Sequence, residues 1–208
     1  MKLYYSDVLA PRKACAVARH LNSPVDYIYL DLARGEHKQP DYLALNPNGK
    51  VPTLVDGERI VWESNAVMCH LAEKAGSDLW PKDARQIEVV RWLSWDASHF
   101  TQYAAALYFE HIIRPRFGLG DPDPAVVDEA TRDFRRSATV LDDHLRGRSH
   151  LVGDALTVAD FAVAVTLPYA ETAKIPMGDF AEIQRWHARL NEIEAWREPF
   201  PLQAAQAA

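Results

Sequence analysis

The pattern of this 208-residue chain changes character near residue 76, and that break limits the architectures open to it. Up to Gly76, strand-like and helix-like stretches alternate. From Ala84 onward every regular stretch reads as helix. Alternation lays helices against a sheet, whereas a helix-only run must build its own bundle. The spacing therefore predicts two unequal domains: an α/β domain over 1–76, a linker over 77–83, and an all-helical domain over 84–208. The linker Ser77-Asp78-Leu79-Trp80-Pro81-Lys82-Asp83 is polar and holds a proline after a glycine stop.

Within the first domain, Lys2 to Tyr5 reads as a strand, and Pro11 is well placed in the first turn of a helix running to about Leu21. Val25 to Leu30 is rich in β-formers and supplies a second strand. An irregular stretch from Asp31 to Leu45 follows, with a short helix near Asp41. Thr53-Leu54-Val55, Asp56-Gly57 and Arg59-Ile60-Val61-Trp62 read as strand, tight turn, strand. Asn65 to Lys74 is helical and is stopped by Gly76. The order is β-α-β-α-β-β-α. In the second domain one long aromatic-rich helix is expected from Arg85 to about Ile113. A loop follows over Gly118 to Pro124, then helices over Ala125 to Leu145, from Leu156, and over Asp179 to Asn191. Thr157 and Asp160 form a near capping box at the start of a buried helix. The Ala/Gln-rich tail after Pro201 is expected to fray.

Two short motifs carry chemistry. The first is Asn46-Pro47-Asn48-Gly49-Lys50-Val51-Pro52. Pro52 has no N–H, so the strand opening there has a gap in its donor row. A cis Val51-Pro52 bond would turn the N–H and C=O of Val51 outward, where an extended peptide pairs as an added strand. A trans proline ending a loop is the plain alternative. The second motif is Glu63-Ser64, at the start of a helix whose N–H groups and dipole favour an anion. A ligand carboxylate would sit there with the Ser64 hydroxyl as donor, and Glu63 would pair with a ligand ammonium. The plain alternative is that the pair caps the helix.

Composition excludes several classes. A net charge of -6 argues against a general nucleic-acid binder. The apolar runs are too short for a membrane span, and the strand-like N-terminus is no signal peptide. Cys15 and Cys69 make neither a disulfide framework nor a zinc-ligand spacing, so no metal is expected and a reducing, cytoplasmic compartment is the default. Both cysteines read as core residues.

Taken in order, the strand Leu3-Tyr4-Tyr5, the Val51-Pro52 turn, Glu63-Ser64 and Thr157 to Asp160 resemble the cytosolic glutathione transferases over essentially the whole chain. The bacterial, delta-, theta- and beta-like branches are nearest in feel. The resemblance implies the glutathione transferase fold: a thioredoxin-like N-terminal domain, which binds glutathione, and an all-α C-terminal domain. It implies glutathione as cosubstrate, a small hydrophobic electrophile as partner, and a homodimer.

The implied reaction is attack of the glutathione thiolate on an electrophile, and a free thiol near pKa ~8.5 needs help to ionise at neutral pH. Serine- and cysteine-type members place the activating group near the start of the first helix. Here Leu9 and Ala10 stand there, and neither donates from its side chain. Three substitutes are expected: Tyr5 first, then Ser6, then Arg12 with the helix N-terminus. The resemblance further assigns His37, Lys50, Val51, Pro52, Glu63, Ser64 and Asn65 to glutathione, although His37 and Lys50 read equally as solvated surface. Leu9, Trp95, His99, Tyr103 and Tyr108 are candidate walls of an electrophile site between the halves, although aromatics at helical spacing are usually core. A glutathione-dependent peroxidase or isomerase, or a non-catalytic glutathione-binding protein, are the alternatives on the same fold.

Overall fold

The computed structural model describes residues 1–201, so the Ala/Gln tail lies outside the described residues. In chain order the regular elements are β1 (Lys2–Tyr5), α1 (Leu9–His20), β2 (Asp26–Tyr29), α2 (Pro40–Leu45), β3 (Thr53–Asp56), β4 (Arg59–Trp62) and α3 (Ser64–Lys74). They continue with α4 (Arg85–Trp95), α5 (Thr101–Tyr108), α6 (Arg114–Arg116), α7 (Pro124–Leu145), α8 (Val158–Val163), α9 (Ala181–Leu190) and α10 (Glu194–Arg197). The chain divides into two units. One is Met1–Ser77 with the described part of Glu192–Ala208; the other is Asp78–Asn191. The expected second domain ran to the end of the chain. Instead the last segment packs with the first unit.

The first unit is a four-stranded sheet of order β2-β1-β3-β4, with β1 parallel to β2 and antiparallel to β3, and β3 antiparallel to β4. The Asp56-Gly57 turn closes the hairpin with Gly57 at φ 62. α1 and α3 pack together, burying Ala14, Cys15 and Val17 of one and Val67, Met68 and Leu71 of the other, with Leu3 and Leu54 of the sheet. Each such Leu or Val contributes roughly 1.5–3 kcal/mol by leaving water. α10 adds a fully buried Trp196 against α1. Burial pushes the Cys15 thiol up and the half-buried Cys69 thiol to about 12, so both are inert at neutral pH.

The second unit is helical throughout. Phe100, Phe134, Leu141, Phe161 and Trp186 form its centre. The long helix expected over 85–113 is not uniform. It runs α4, a π-helical turn over Asp96–Phe100, α5, and a second π-helical turn over Phe109–Ile113. Neither π-turn contains glycine or proline, so neither leaves a sequence signal. Asp123 caps α7 by accepting the Ala125 N–H. No described helix is long and apolar enough to cross a membrane.

Candidate active site

The chemistry-bearing motifs of the first unit lie at the ends of its elements. β4 delivers Glu63 at its C-terminal end, and α3 starts at Ser64. Glu63 occupies the N-cap position with φ 70 and ψ 118, yet its side chain makes no capping hydrogen bond. Ser64 is the first residue of the helix rather than its cap. Its hydroxyl bonds to no other described residue, although the residue is only 8% exposed. The first backbone bond of α3 is Val67 N–H to Glu63 C=O, so the N–H groups of Ser64, Asn65 and Ala66 precede the hydrogen-bonded ladder. The capping alternative therefore fails. What remains is a helix N-terminus with open donors and an exposed carboxylate beside it. That arrangement complements a carboxylate and an ammonium carried on one carbon.

Sequence reasoning singled out Val51 and Pro52, and missed the side chains that hold them. The Val51-Pro52 peptide is cis. Val51 makes no backbone hydrogen bond with another described residue. The loop around it is pinned by a buried polar cluster. Tyr42 Oη donates to the Lys50 carbonyl at 2.6 Å and shares a hydrogen with Thr53 Oγ1 at 2.8 Å. Asn46 Nδ2 donates to the same carbonyl at 2.8 Å and to Thr53 Oγ1 at 3.1 Å, while Asn46 Oδ1 accepts the Asn48 N–H. Tyr42, Asn46 and Thr53 are all buried. An Asn46→Ala substitution is expected to cost about 1–3 kcal/mol, read by urea unfolding, because the loop loses two donors and an acceptor at a buried site. A Tyr42→Phe chain keeps Asn46 on both acceptors and is expected to lose less. Equal losses, or none, would remove the cluster from the account of the loop.

Gly49 has φ 55, and a Cβ there would lie 3.0 Å from the His37 carbonyl oxygen and 2.9 Å from Lys38 Nζ. The turn holding His37 therefore abuts the loop holding Lys50. His37 Nδ1 is buried and lacks a hydrogen-bond partner among the described residues. Burial, with Lys38 nearby, lowers the His37 pKa. Lys50 is exposed, and its side chain forms no ion pair among the described residues. On α3, Asn65 Oδ1 accepts from Lys13 Nζ of α1 at 2.7 Å, a contact between residues 52 apart that no local pattern announces.

The expected thiol-activating side chains are placed otherwise. Tyr5 is 3% exposed, with its ring against Tyr27, Tyr29 and Phe200. Adjacent strand residues face opposite sides of a sheet, and Tyr4 takes the other side, against Tyr42. Burial raises the Tyr5 phenol pKa, with Cys15, Tyr29 and Asp7 acting in the same direction. Tyr5 is thus a core residue. Arg12, expected to assist the thiol at the helix start, is also buried. Its guanidinium donates to the Trp196 carbonyl at 2.6 Å and lies over the Trp196 indole. It ties α1 to the last segment, as Arg19 does through the Glu198 and Phe200 carbonyls. Ser6 is 2% exposed, and its hydroxyl reaches Asp7 Oδ1 at 3.5 Å, a long contact.

What the start of α1 offers is main chain. The helix begins at Leu9, which puts Pro11 in its first turn, with Val8 at the N-cap and no acidic residue in that turn. The first ladder bond is Arg12 N–H to Val8 C=O. The N–H groups of Leu9 and Ala10 precede it, and Pro11 has none to satisfy.

Of the remaining aromatic candidates, all in the second unit, Trp95 stacks on Phe100 and lies near His99. Trp95 and Tyr103 are half-buried and His99 is exposed, whereas Tyr108 is buried edge-on to Tyr169. Among the described residues no group of three or more His, Cys, Asp or Glu is placed to hold a metal ion.

Comparison with known proteins places this geometry. Residues 3–73 match the family model of the glutathione S-transferase N-terminal domain, and residues 97–194 that of the C-terminal domain. The chain is 38% identical over 154 residues to glutathione S-transferase 3 of Zea mays, covering 73% of this chain and 68% of the relative. It is 31% identical over 193 residues to a probable glutathione S-transferase, GSTF2, of Oryza sativa subsp. japonica, covering 89% of each. Among solved structures, glutathione S-transferase-I bound with lactoylglutathione superposes with a TM-score of 0.87 at 25% identity, covering 95% of this chain and 97% of that one.

Proposed function

Since this chain belongs to the glutathione S-transferase family, we propose that its first unit binds glutathione and ionises the thiol for attack on small apolar electrophiles. The observation that carries this reading is the uncapped N-terminus of α3 beside the strained Glu63. The γ-glutamyl end of glutathione bears a carboxylate and an ammonium on one carbon. The carboxylate takes the N–H groups of α3 with the Ser64 hydroxyl and Asn65, and the ammonium takes Glu63. The cysteinyl backbone pairs with Val51 beside Pro52 as an added strand. The glycyl carboxylate is met by Lys50 and His37.

The thiol then falls to the N–H groups of Leu9 and Ala10. A helix N-terminus lowers a thiol pKa without any hydroxyl side chain. The sulfur lone pair forms a C–S bond with the electrophilic carbon, and the leaving group departs with the bonding pair. Apolar electrophiles would be met by aromatic side chains of the second unit, of which Trp95 and Tyr103 are half-buried. Both named relatives are plant proteins, which favours their branch of the family over the bacterial, delta-, theta- or beta-like branches suggested by the sequence. A two-fold homodimer in the cytoplasm completes the proposal.

Titration of the thiolate absorbance of bound glutathione tests the scheme. The thiol pKa is expected below its free value near ~8.5, and unchanged in Tyr5→Phe, because Tyr5 is in the core. A return toward the free value in the mutant would restore Tyr5 as the activator. Saturable binding with no depression in the wild type would replace transfer by a non-catalytic glutathione-binding role.

A further inference from the structure

Two cations of α1, Arg12 and Lys13, are buried, although the helix itself contains no Asp or Glu. Burying a cation is costly and persists only with specific polar surroundings. Arg12 meets the carbonyl and ring of Trp196. Lys13, 6% exposed, points the other way, to the first turn of α3, where Nζ donates to Asn65 Oδ1 at 2.7 Å. An ammonium only donates, so Asn65 must present its oxygen to Lys13 and direct its own N–H₂ donors away. A positive charge is thereby held at the end of α3 that is already positive by virtue of the helix dipole. Like signs at one place raise the affinity for an anion. Ser64, a residue nine-tenths buried whose hydroxyl bonds to no other described residue, stands in the same turn.

We propose that Lys13 is the cation of the carboxylate subsite at the N-terminus of α3, engaging the α-carboxylate of the γ-glutamyl residue directly while positioning Asn65. The proposal rests on the reading above that glutathione binds here, and it adds a residue from another helix to that site. Its consequence is selectivity. Lys13 favours ligands carrying the carboxylate and adds nothing for ligands that lack it.

Calorimetric titration with two ligands tests this: glutathione, and the analogue 4-aminobutyryl-cysteinyl-glycine, which lacks only the α-carboxylate. Lys13→Met is expected to weaken glutathione binding about ten- to hundredfold, as loss of a charge-assisted hydrogen bond does, and to leave the analogue's weaker binding unchanged. Lys13→Arg is expected to retain most of the affinity. Lys13→Gln keeps a donor for Asn65 without the charge, and carries the same comparison if the methionine chain does not fold. Equal weakening of both ligands would make Lys13 a packing residue and overturn the proposal, as would unchanged glutathione binding. Failure of the wild type to bind glutathione at all would instead overturn the glutathione reading on which it rests.

Discussion

Replacing Asp160 with alanine is expected to lower stability by about 3–5 kcal/mol, the cost of breaking a buried, fully hydrogen-bonded charged group. Asp160 is completely buried. Its Oδ1 accepts the Leu151 N–H at 2.9 Å and the Trp186 indole N–H at 3.1 Å. Its Oδ2 accepts the Thr157 N–H at 2.9 Å and the Thr157 hydroxyl at 3.1 Å. One carboxylate thus satisfies the start of α8, the preceding loop and a core tryptophan of α9. Alanine would strand three N–H groups and a hydroxyl in a site closed to water, each worth about 1–3 kcal/mol alone and less than additive together. Burial raises the carboxyl pKa, and the hydrogen bonds from Leu151, Thr157 and Trp186 oppose that rise, so removing any donor leaves burial less opposed. Urea unfolding followed by tryptophan fluorescence reads the loss directly. Asp160→Asn is expected to fall between wild type and alanine, since the amide keeps one acceptor oxygen and turns N–H₂ toward donors. A loss below about 1 kcal/mol in the alanine chain would mean that water or rearrangement replaces the carboxylate.

How far the sequence discloses these features depends on the distance between the residues involved. Asp160 and Thr157 are three apart, and a capping box over that spacing is visible without a structure. Glu63 and Ser64 adjoin each other and open a helix, so their placement is also legible; only the missing cap and the positive φ of Glu63 needed coordinates. Lys13 with Asn65 and Arg12 with Trp196 are separated by 52 and 184 residues. Nothing local tells a buried cation from a solvated one, so Arg12 was expected at the site and Lys13 was not. Tyr4 and Tyr5 show a different limit. Period-two alternation says that they face opposite sides, but not which side holds the core, and the phenol expected to activate a thiol proved to be the buried one. The end of the first unit was hidden for a related reason. Residues 192–201 join it through carbonyl groups that accept from Arg12 and Arg19, and carbonyls carry no sequence signal.

Glu63→Gly is expected to make the protein more stable and a poorer binder of glutathione. At φ 70 and ψ 118 a residue with a Cβ is strained by about 1–3 kcal/mol, whereas glycine adopts such angles freely. Glycine also loses more entropy on folding, by about 0.5–1 kcal/mol, so the net gain should be about 1 kcal/mol. The Glu63 side chain makes no capping bond whose loss would offset that gain. On the ligand side, the ammonium of the γ-glutamyl end loses its carboxylate. The expected fall in affinity is roughly ten- to hundredfold, corresponding to about 1.4–2.8 kcal/mol. Glu63→Gln separates the two effects, because it keeps the Cβ and the strain but removes the charge. Its stability should match the wild type while its affinity drops. Measured together by thermal unfolding without ligand and by calorimetric titration, the two variants distinguish a strained turn tolerated by accident from one held for the ligand. A glycine chain that gained no stability would show that the backbone there is relaxed, and one that bound glutathione as tightly as wild type would remove Glu63 from the site. Opposite signs in the two measurements, with only the affinity moving in the glutamine chain, would tie the unfavourable backbone at the head of α3 to the group that must sit beside it.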